Sequence, residues 1–233
     1  MQRLARDGLR VLFCGRGEAA GRVVESVAPG SRFVCCDLAV PEQRAGLIEA
    51  VRAEVGAGLI GLVNNAGMSC RKPFDSTDDE EMGLLLTVNL SGVMVLTREL
   101  LPELLAARGS IVSVSSIAGL RGHDQLAAYS ATKAAVANLM QSLAVEYGNR
   151  IRCNAVCPGQ IWTRMTEDED AVVRQIEARV PAGRFGRPEE VAAVIAWLLS
   201  AESSYVNGAV IPVDGGESAG FARLPGKTAA EWV

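Results

Sequence analysis

The chain has 233 residues, 49% apolar and 21% charged, which is enough for one domain with a full hydrophobic core. A net charge of -4 argues against a nucleic-acid or anionic-membrane partner, and a single histidine, His123, leaves a His-based metal site or a Ser-His-Asp triad poorly supplied. Six cysteines, mostly inside apolar runs and without metal-ligand spacing, point to reduced thiols in a cytoplasmic protein.

In chain order, residues 1–7 read as the last turns of a helix stopped at Gly8. A strand over 10–14 is followed by a helix over 17–27 that Pro29-Gly30 ends. A second strand, 32–36, closes at Asp37. A helix over 41–55 has proline in its first turn. A strand over 59–63 runs into Asn64-Asn65-Ala66-Gly67, and 77–107 holds a long helix with Asn89 near its middle. Then come a strand over 110–114, a helix over 126–147, and a strand over 151–156 that ends at Cys157-Pro158-Gly159. Helices over 167–179 and 188–199, a last strand over 209–213, Asp214-Gly215-Gly216 and a tail over 217–233 complete the chain. No apolar run reads as long enough to span a bilayer, no signal peptide precedes the first strand, and no repeat is present.

Continuous apolar strands alternating with helices predict an α/β fold: one Rossmann-like domain over 1–233, a doubly wound parallel sheet with helices on both faces. Ligands in such sheets bind beyond the carboxyl ends of the strands. Arg16, Asp37, Asn64 to Gly67, Ser115-Ser116 and Pro158-Gly159 all fall at those ends.

Tyr129 and Lys133 stand four residues apart, on one helix face. An ammonium beside a phenol favours phenolate and lowers the tyrosine pKa, so the phenol can give a proton to a carbonyl oxygen or take one from an alcohol. Ser116 can offer a hydroxyl to the same oxygen. Alone the pair is a weak signal, since a solvated Tyr and Lys on a surface helix have the same spacing. His123 lies between Ser116 and Tyr129, where it lines the site or stands solvated in a loop. Glu167-Asp168-Glu169-Asp170 reads as a solvated helix start, so no metal site is expected.

Taken together these residues resemble the short-chain dehydrogenase/reductase family. Asn64-Asn65-Ala66-Gly67 matches its NNAG loop, Asn89 in Val88-Asn89-Leu90-Ser91-Gly92 its catalytic Asn, and Ser116, Tyr129 and Lys133 its Ser and Tyr-x-x-x-Lys. Cys157-Pro158-Gly159 with Thr163 matches the segment that flanks the nicotinamide, and Gly183-Arg184, Pro188-Glu189-Glu190-Val191 and Val213-Asp214-Gly215-Gly216 match the C-terminal landmarks. The resemblance implies hydride transfer between a nicotinamide and a carbonyl or secondary alcohol. It implies catalytic roles for Asn89, Ser116, Tyr129 and Lys133. It also implies cofactor contacts from Arg16, Asp37, Leu38, Asn64, Ala66, Gly67, Tyr129, Lys133, Pro158, Gly159, Ile161 and Thr163. Arg16 stands where an acidic residue would bond the NAD ribose, and a basic one suits the 2′-phosphate of NADP. NADP is therefore the expected cofactor, with NAD the alternative. Trp162, Met165 and Phe185 in the segment 160–187 suggest an apolar carbonyl or alcohol substrate, and the two long helices imply a homodimer or homotetramer.

One landmark is missing. Cys14-Gly15-Arg16-Gly17-Glu18-Ala19-Ala20-Gly21 lacks the Thr and middle Gly of the family's glycine-rich turn, and too few residues separate it from Asp37. The better register makes 10–14 the family's second strand, where Asp7-Gly8-Leu9-Arg10-Val11 resembles the polyketide ketoreductases. The family's first strand and phosphate loop are then absent, and the strands on either side are expected to face each other across a gap or to pair directly. Either the chain begins at an internal Met, or it is a natural truncated member whose cofactor binding is weakened or lost; a cofactor-free scaffold or binding protein of the same fold is the alternative function.

Overall fold

A computed structural model describes residues 1–56, 58–162 and 177–220. Strands β1 (Val11–Gly15) and β2 (Ser31–Cys35) pair in parallel, Phe13 beside Phe33. Strands β3 (Gly61–Asn64), β4 (Ser110–Val114), β5 (Arg152–Pro158) and β6 (Val210–Val213) form a second parallel sheet in that order. Seven helices flank the strands among the described residues: α1 (Gln2–Arg6), α2 (Glu18–Ser26), α3 (Pro41–Val55), α4 (Asp79–Leu86), α5 (Gly92–Ala106), α6 (Ala127–Tyr147) and α7 (Pro188–Leu199).

Local chemistry sets the helix ends. Proline opens α3 and α7, where its missing N–H costs nothing. A capping box opens α4: Asp78 accepts from the Glu81 amide at 2.8 Å while Glu81 accepts from the Asp78 amide. Gly8, at φ +85, lets the chain turn out of α1. The strands are apolar on both faces because helices cover both. Ile111, Val112, Cys153, Ala155 and Val156 are fully buried; Met140 of α6 and Leu104 of α5 share a cluster with Ile111, Cys153 and Ala155, while Val191, Ile195 and Leu198 of α7 share one with Val112 and Val156. A buried aliphatic side chain of this size stabilises by about 1.5–3 kcal/mol.

The helix α4–α5 is continuous over Asp79–Ala106, with one π-helical turn at Thr87–Ser91. It has 28 residues and an 18-residue window of mean hydropathy 1.5, so by length and composition it is long and apolar enough to cross a membrane, which corrects the sequence expectation. Its Leu85, Val93, Leu96, Leu100 and Leu104 are buried in the core.

The sheet is split where the sequence reading places the missing strand. Among the described residues no strand stands between β1 and β3, and the two do not pair. Among the described residues no backbone hydrogen bond joins residues 1–36 to those beyond Asp37. Side chains make the connection instead. Leu12 and Cys14 of β1 pack on the same apolar cluster as Leu59 and Leu62. Glu54 of α3 pairs with Arg10 and Arg32, and Arg52 donates to Glu103 of α5 at 2.9 Å. Every strand of β1 and β3 residues except Asn64 stays only half-buried, unusual for positions inside a doubly wound sheet.

Candidate active site

Three neighbouring strands, β3, β4 and β5, deliver the central residues to one edge. β3 ends at Asn64, whose buried side chain donates to Thr97 at 3.2 Å and to Ser113 at 3.0 Å. These bonds hold the strand end, so Asn64 is anchored inward while Asn65, Ala66 and Gly67 are exposed. The loop then meets Asn89. The π-helical turn carries Asn89 fully inside, where its Oδ1 accepts from the Met68 amide at 2.9 Å and its Nδ2 donates to the Met68 carbonyl at 2.9 Å and to Thr132 at 3.1 Å. A Cβ on Gly67 would lie 3.2 Å from Lys133 Nζ and 3.3 Å from Asn89 Oδ1. The Lys133 amine and the Asn89 amide oxygen therefore both border Gly67.

β4 ends at Ser115-Ser116. Ser115 is buried and donates to the Lys133 carbonyl at 2.7 Å, which fixes α6 to the strand end. Ser116 accepts from the Ala118 amide at 3.1 Å, which shapes a tight turn. Lys133 is buried and donates to the Val114 carbonyl at 2.9 Å, with Nζ 5.8 Å from the Tyr129 ring centroid. The helical spacing of Tyr129 and Lys133 puts both on the face of α6 toward the end of β4, Tyr129 in hydrogen-bond reach of Ser116 and Lys133 bonded to the Val114 carbonyl.

The electrostatics are less simple than the sequence suggests. Burial pushes the Tyr129 phenol up from its ordinary value, and a hydrogen bond with Ser116 opposes the rise. Burial also holds the Lys133 ammonium down, to about 8. Tyr129 is thus not lowered in this structure, because desolvation is its largest influence. Cys157, at the end of β5, sits fully buried near Lys133 and Ser115, and burial pushes its thiol up. No cluster of metal-ligating side chains occurs among the described residues.

The expected cofactor residues are spread along the same edge. Asp37 caps its own turn, its Oδ1 accepting from the Ala39 amide at 2.9 Å. Leu38 is buried, with its carbonyl accepting from Arg44. Arg16 is exposed and makes no ion pair with a carboxylate among the described residues. Gly159 follows Pro158 against Asp214, whose Cβ lies 2.6 Å from where a Gly159 Cβ would stand, so no larger residue fits. Ile161 bridges to Gly186. Thr163, Met165 and the helix expected over 167–179, up to residue 176, lie outside the described residues, as does the tail beyond 220. Trp162 and Phe185 pack edge to face at 5.5 Å beside a cavity of about 410 Å³ that Glu177, Arg184 and Arg187 also line. That cavity does not include Ser116 or Tyr129. His123 is half-buried rather than solvated, its Nε2 without a partner among the described residues. Sequence reasoning passed over Thr132, Arg121 and Glu217. Thr132 lies between Tyr129 and Lys133, and only its bond to Asn89 reveals it.

A family model described as enoyl-(acyl carrier protein) reductase matches residues 1–218. The chain belongs to the short-chain dehydrogenase/reductase family. Members of this family are NAD(P)-dependent oxidoreductases acting on CH–OH groups. An L-fucose dehydrogenase of Bos taurus is 35% identical over 96% of this chain and 85% of its own length. A protein of Xanthobacter autotrophicus named an inactive 2-(S)-hydroxypropyl-CoM dehydrogenase 2 is 34% identical over 92% of this chain and 97% of its own. A solved structure described as an NAD(P)-dependent gluconate 5-dehydrogenase of Beutenbergia cavernae, with NADP at low occupancy, superposes with a TM-score of 0.87 at 35% identity, over 94% of this chain and 90% of that one.

Proposed function

We propose that this member of the family is an NADP(H)-dependent reductase that interconverts a carbonyl and a secondary alcohol, with Tyr129 as general acid and base. The observation that carries the reading is the convergence of Ser116, Tyr129, Lys133 and Asn89 on one strand edge beside the exposed Asn65-Ala66-Gly67 loop.

The residues present fit the nicotinamide end of the cofactor. Gly67 leaves open the space in front of Lys133 Nζ and Asn89 Oδ1, and Gly159 keeps the end of β5 narrow. Bound NADPH supplies the hydride. Ser116 orients the carbonyl oxygen by hydrogen bond. Tyr129 donates its phenolic proton to that oxygen as negative charge develops there. Lys133, held as an ammonium below its pKa of about 8, favours the phenolate that results. Asn89, fixed by three hydrogen bonds, holds the Gly67–Met68 turn and the Thr132 hydroxyl in register with Lys133. Arg16, exposed and in no ion pair among the described residues, supports NADP over NAD.

The substrate reading is a small carbonyl compound with an apolar group against Trp162 and Phe185. A homodimer or homotetramer is proposed through the α4–α5 helix, whose Leu84, Leu86 and Met94 are exposed apolar side chains. Six free cysteines, three of them fully within the core, suit a cytoplasmic location.

Fluorescence titration with NADPH, followed by turnover assays on a ketone panel, tests the reading. Saturable binding with turnover that Tyr129→Phe reduces by at least about 10³-fold is expected. Undiminished turnover in Tyr129→Phe refutes the assignment. The split sheet and the relative named inactive favour a second reading, a cofactor-free binding protein of the same fold. A folded chain that shows no NADPH binding selects it.

A further inference from the structure

Arg121 and Glu217 are far apart in sequence and have no part in the chemistry above. Arg121 follows β4, five residues after Ser116. Glu217 follows β6. Arg121 Nη1 donates to the Glu217 carbonyl oxygen at 2.7 Å, and its Nη2 donates to Glu217 Oε1 at 3.0 Å. Gln160, after β5, donates to the same Oε1 at 3.4 Å. The Glu217 side chain is only 10% exposed. Its Oε2 is buried without a partner among the described residues, and lies 3.3 Å from where a Cβ on Gly159 would stand. Asp214 shapes the loop that presents it, accepting from the Gly216 amide at 3.0 Å and the Ser218 amide at 2.7 Å.

β4, β5 and β6 are adjacent and parallel, so all three loops leave the same edge of the sheet. We infer that Arg121 and Glu217 are a positioning pair that ties these loops together and holds the substrate side of the site. The tie reaches Ser116 through a short rigid path. The Gly119 amide donates to the Ser116 carbonyl at 2.9 Å, the Arg121 amide to the Ile117 carbonyl at 3.2 Å, and the Ala118 amide to Ser116 Oγ at 3.1 Å. Movement of Arg121 therefore displaces the hydroxyl that orients the carbonyl. At the other end of the tie, Glu217 Oε2 borders the side-chain position of Gly159, beside Pro158. A geometry of this kind decides which face of a prochiral ketone meets the hydride, since sub-ångström displacement near a reacting atom changes relative rates strongly.

The inference rests on the oxidoreductase reading, and its test separates the two. Wild type, Glu217→Ala, Arg121→Ala and Glu217→Gln are given NADPH and prochiral ketones: acetophenone, ethyl acetoacetate and 2-octanone. The enantiomer ratio of the product alcohol is read by chiral chromatography, with ketone KM and kcat alongside. The ratio does not depend on how much of a variant is folded, so loss of stability alone leaves it unmoved. Both alanine variants are expected to lower the ratio by at least about fivefold and to raise KM. Glu217→Gln keeps an acceptor for Arg121 and is expected to retain the wild-type ratio. Alanine variants with the wild-type ratio and KM but a lower melting temperature overturn the inference, leaving a structural ion pair. A glutamine variant as unselective as the alanine variant overturns the hydrogen-bonded tie. A wild type that reduces none of the ketones, or reduces them equally well as Tyr129→Phe, refutes the oxidoreductase reading and removes the inference with it.

Discussion

Replacing Lys133 by Met is predicted to stabilise the fold while abolishing the proposed activity. Lys133 is 4% exposed and pairs with no carboxylate among the described residues, and burial brings its pKa from the ordinary 10.5 to about 8. With each pKa unit worth about 1.4 kcal/mol, keeping the ammonium charged in the folded state costs about 3 kcal/mol at pH 7. Met fills a similar volume without charge. It also removes the bond to the Val114 carbonyl at 2.9 Å, a loss of about 1–3 kcal/mol if that oxygen finds no other partner. The net gain expected at pH 7 is on the order of 1 kcal/mol. The sign with pH follows from linkage. Between about 8 and 10.5 the unfolded chain holds the Lys133 proton and the folded chain does not, so wild-type stability from this group rises with pH through that window. Lys133→Met lacks the rise, and its advantage should shrink as pH goes from 7 to 10. Urea unfolding followed by tryptophan fluorescence, on both proteins across that range, measures the difference. Using the difference cancels the buried thiols of Cys36 and Cys153, pushed up to about 11 and about 12, which titrate in both proteins. A variant less stable than wild type at pH 7 by more than about 1 kcal/mol, or a difference flat with pH, refutes the reasoning.

Three further outcomes are expected. Arg16→Asp should lower the preference for NADPH over NADH by at least about tenfold, read as the ratio of the two dissociation constants, because the exposed guanidinium is exchanged for a carboxylate suited to ribose hydroxyls. Leu104→Ala, at a fully buried position between α5 and the sheet, should cost about 2–5 kcal/mol in denaturant unfolding without changing any ketone preference. In hydrogen exchange, the amides of β1 and β3 should exchange well before those of β4 and β5, which have a strand on each side.

Much of this was legible in the sequence because it depends on spacing along one element. The four-residue interval of Tyr129 and Lys133 and the prolines opening α3 and α7 need no tertiary information. The missing strand between β1 and β3 followed from motif order alone. Of the two arrangements left open there, a gap or direct pairing, the fold takes the gap: Leu12, Cys14, Leu59 and Leu62 share one apolar cluster, while β1 and β3 do not pair among the described residues. The direction of the Tyr129 pKa was misjudged because sequence counts a nearby lysine and cannot weigh burial. Arg121 and Glu217 left no signal, since their meeting depends on three loops separated by up to 96 positions.

The absence of a backbone bridge between residues 1–36 and the other described residues has a thermodynamic consequence. The β1–α2–β2 block can detach as a local unfolding unit without breaking any hydrogen-bond ladder, against apolar contacts and a few ion pairs alone. Arg16 belongs to this detachable block, while Tyr129 and Lys133 belong to the other. Any ligand that touches both acts as a clamp, raising the cost of detachment by RT ln(1 + [L]/Kd), and its apparent affinity is reduced by the fraction of molecules in which the block is loose. Protease sensitivity near β2 would then report on occupancy of a site centred on a different sheet.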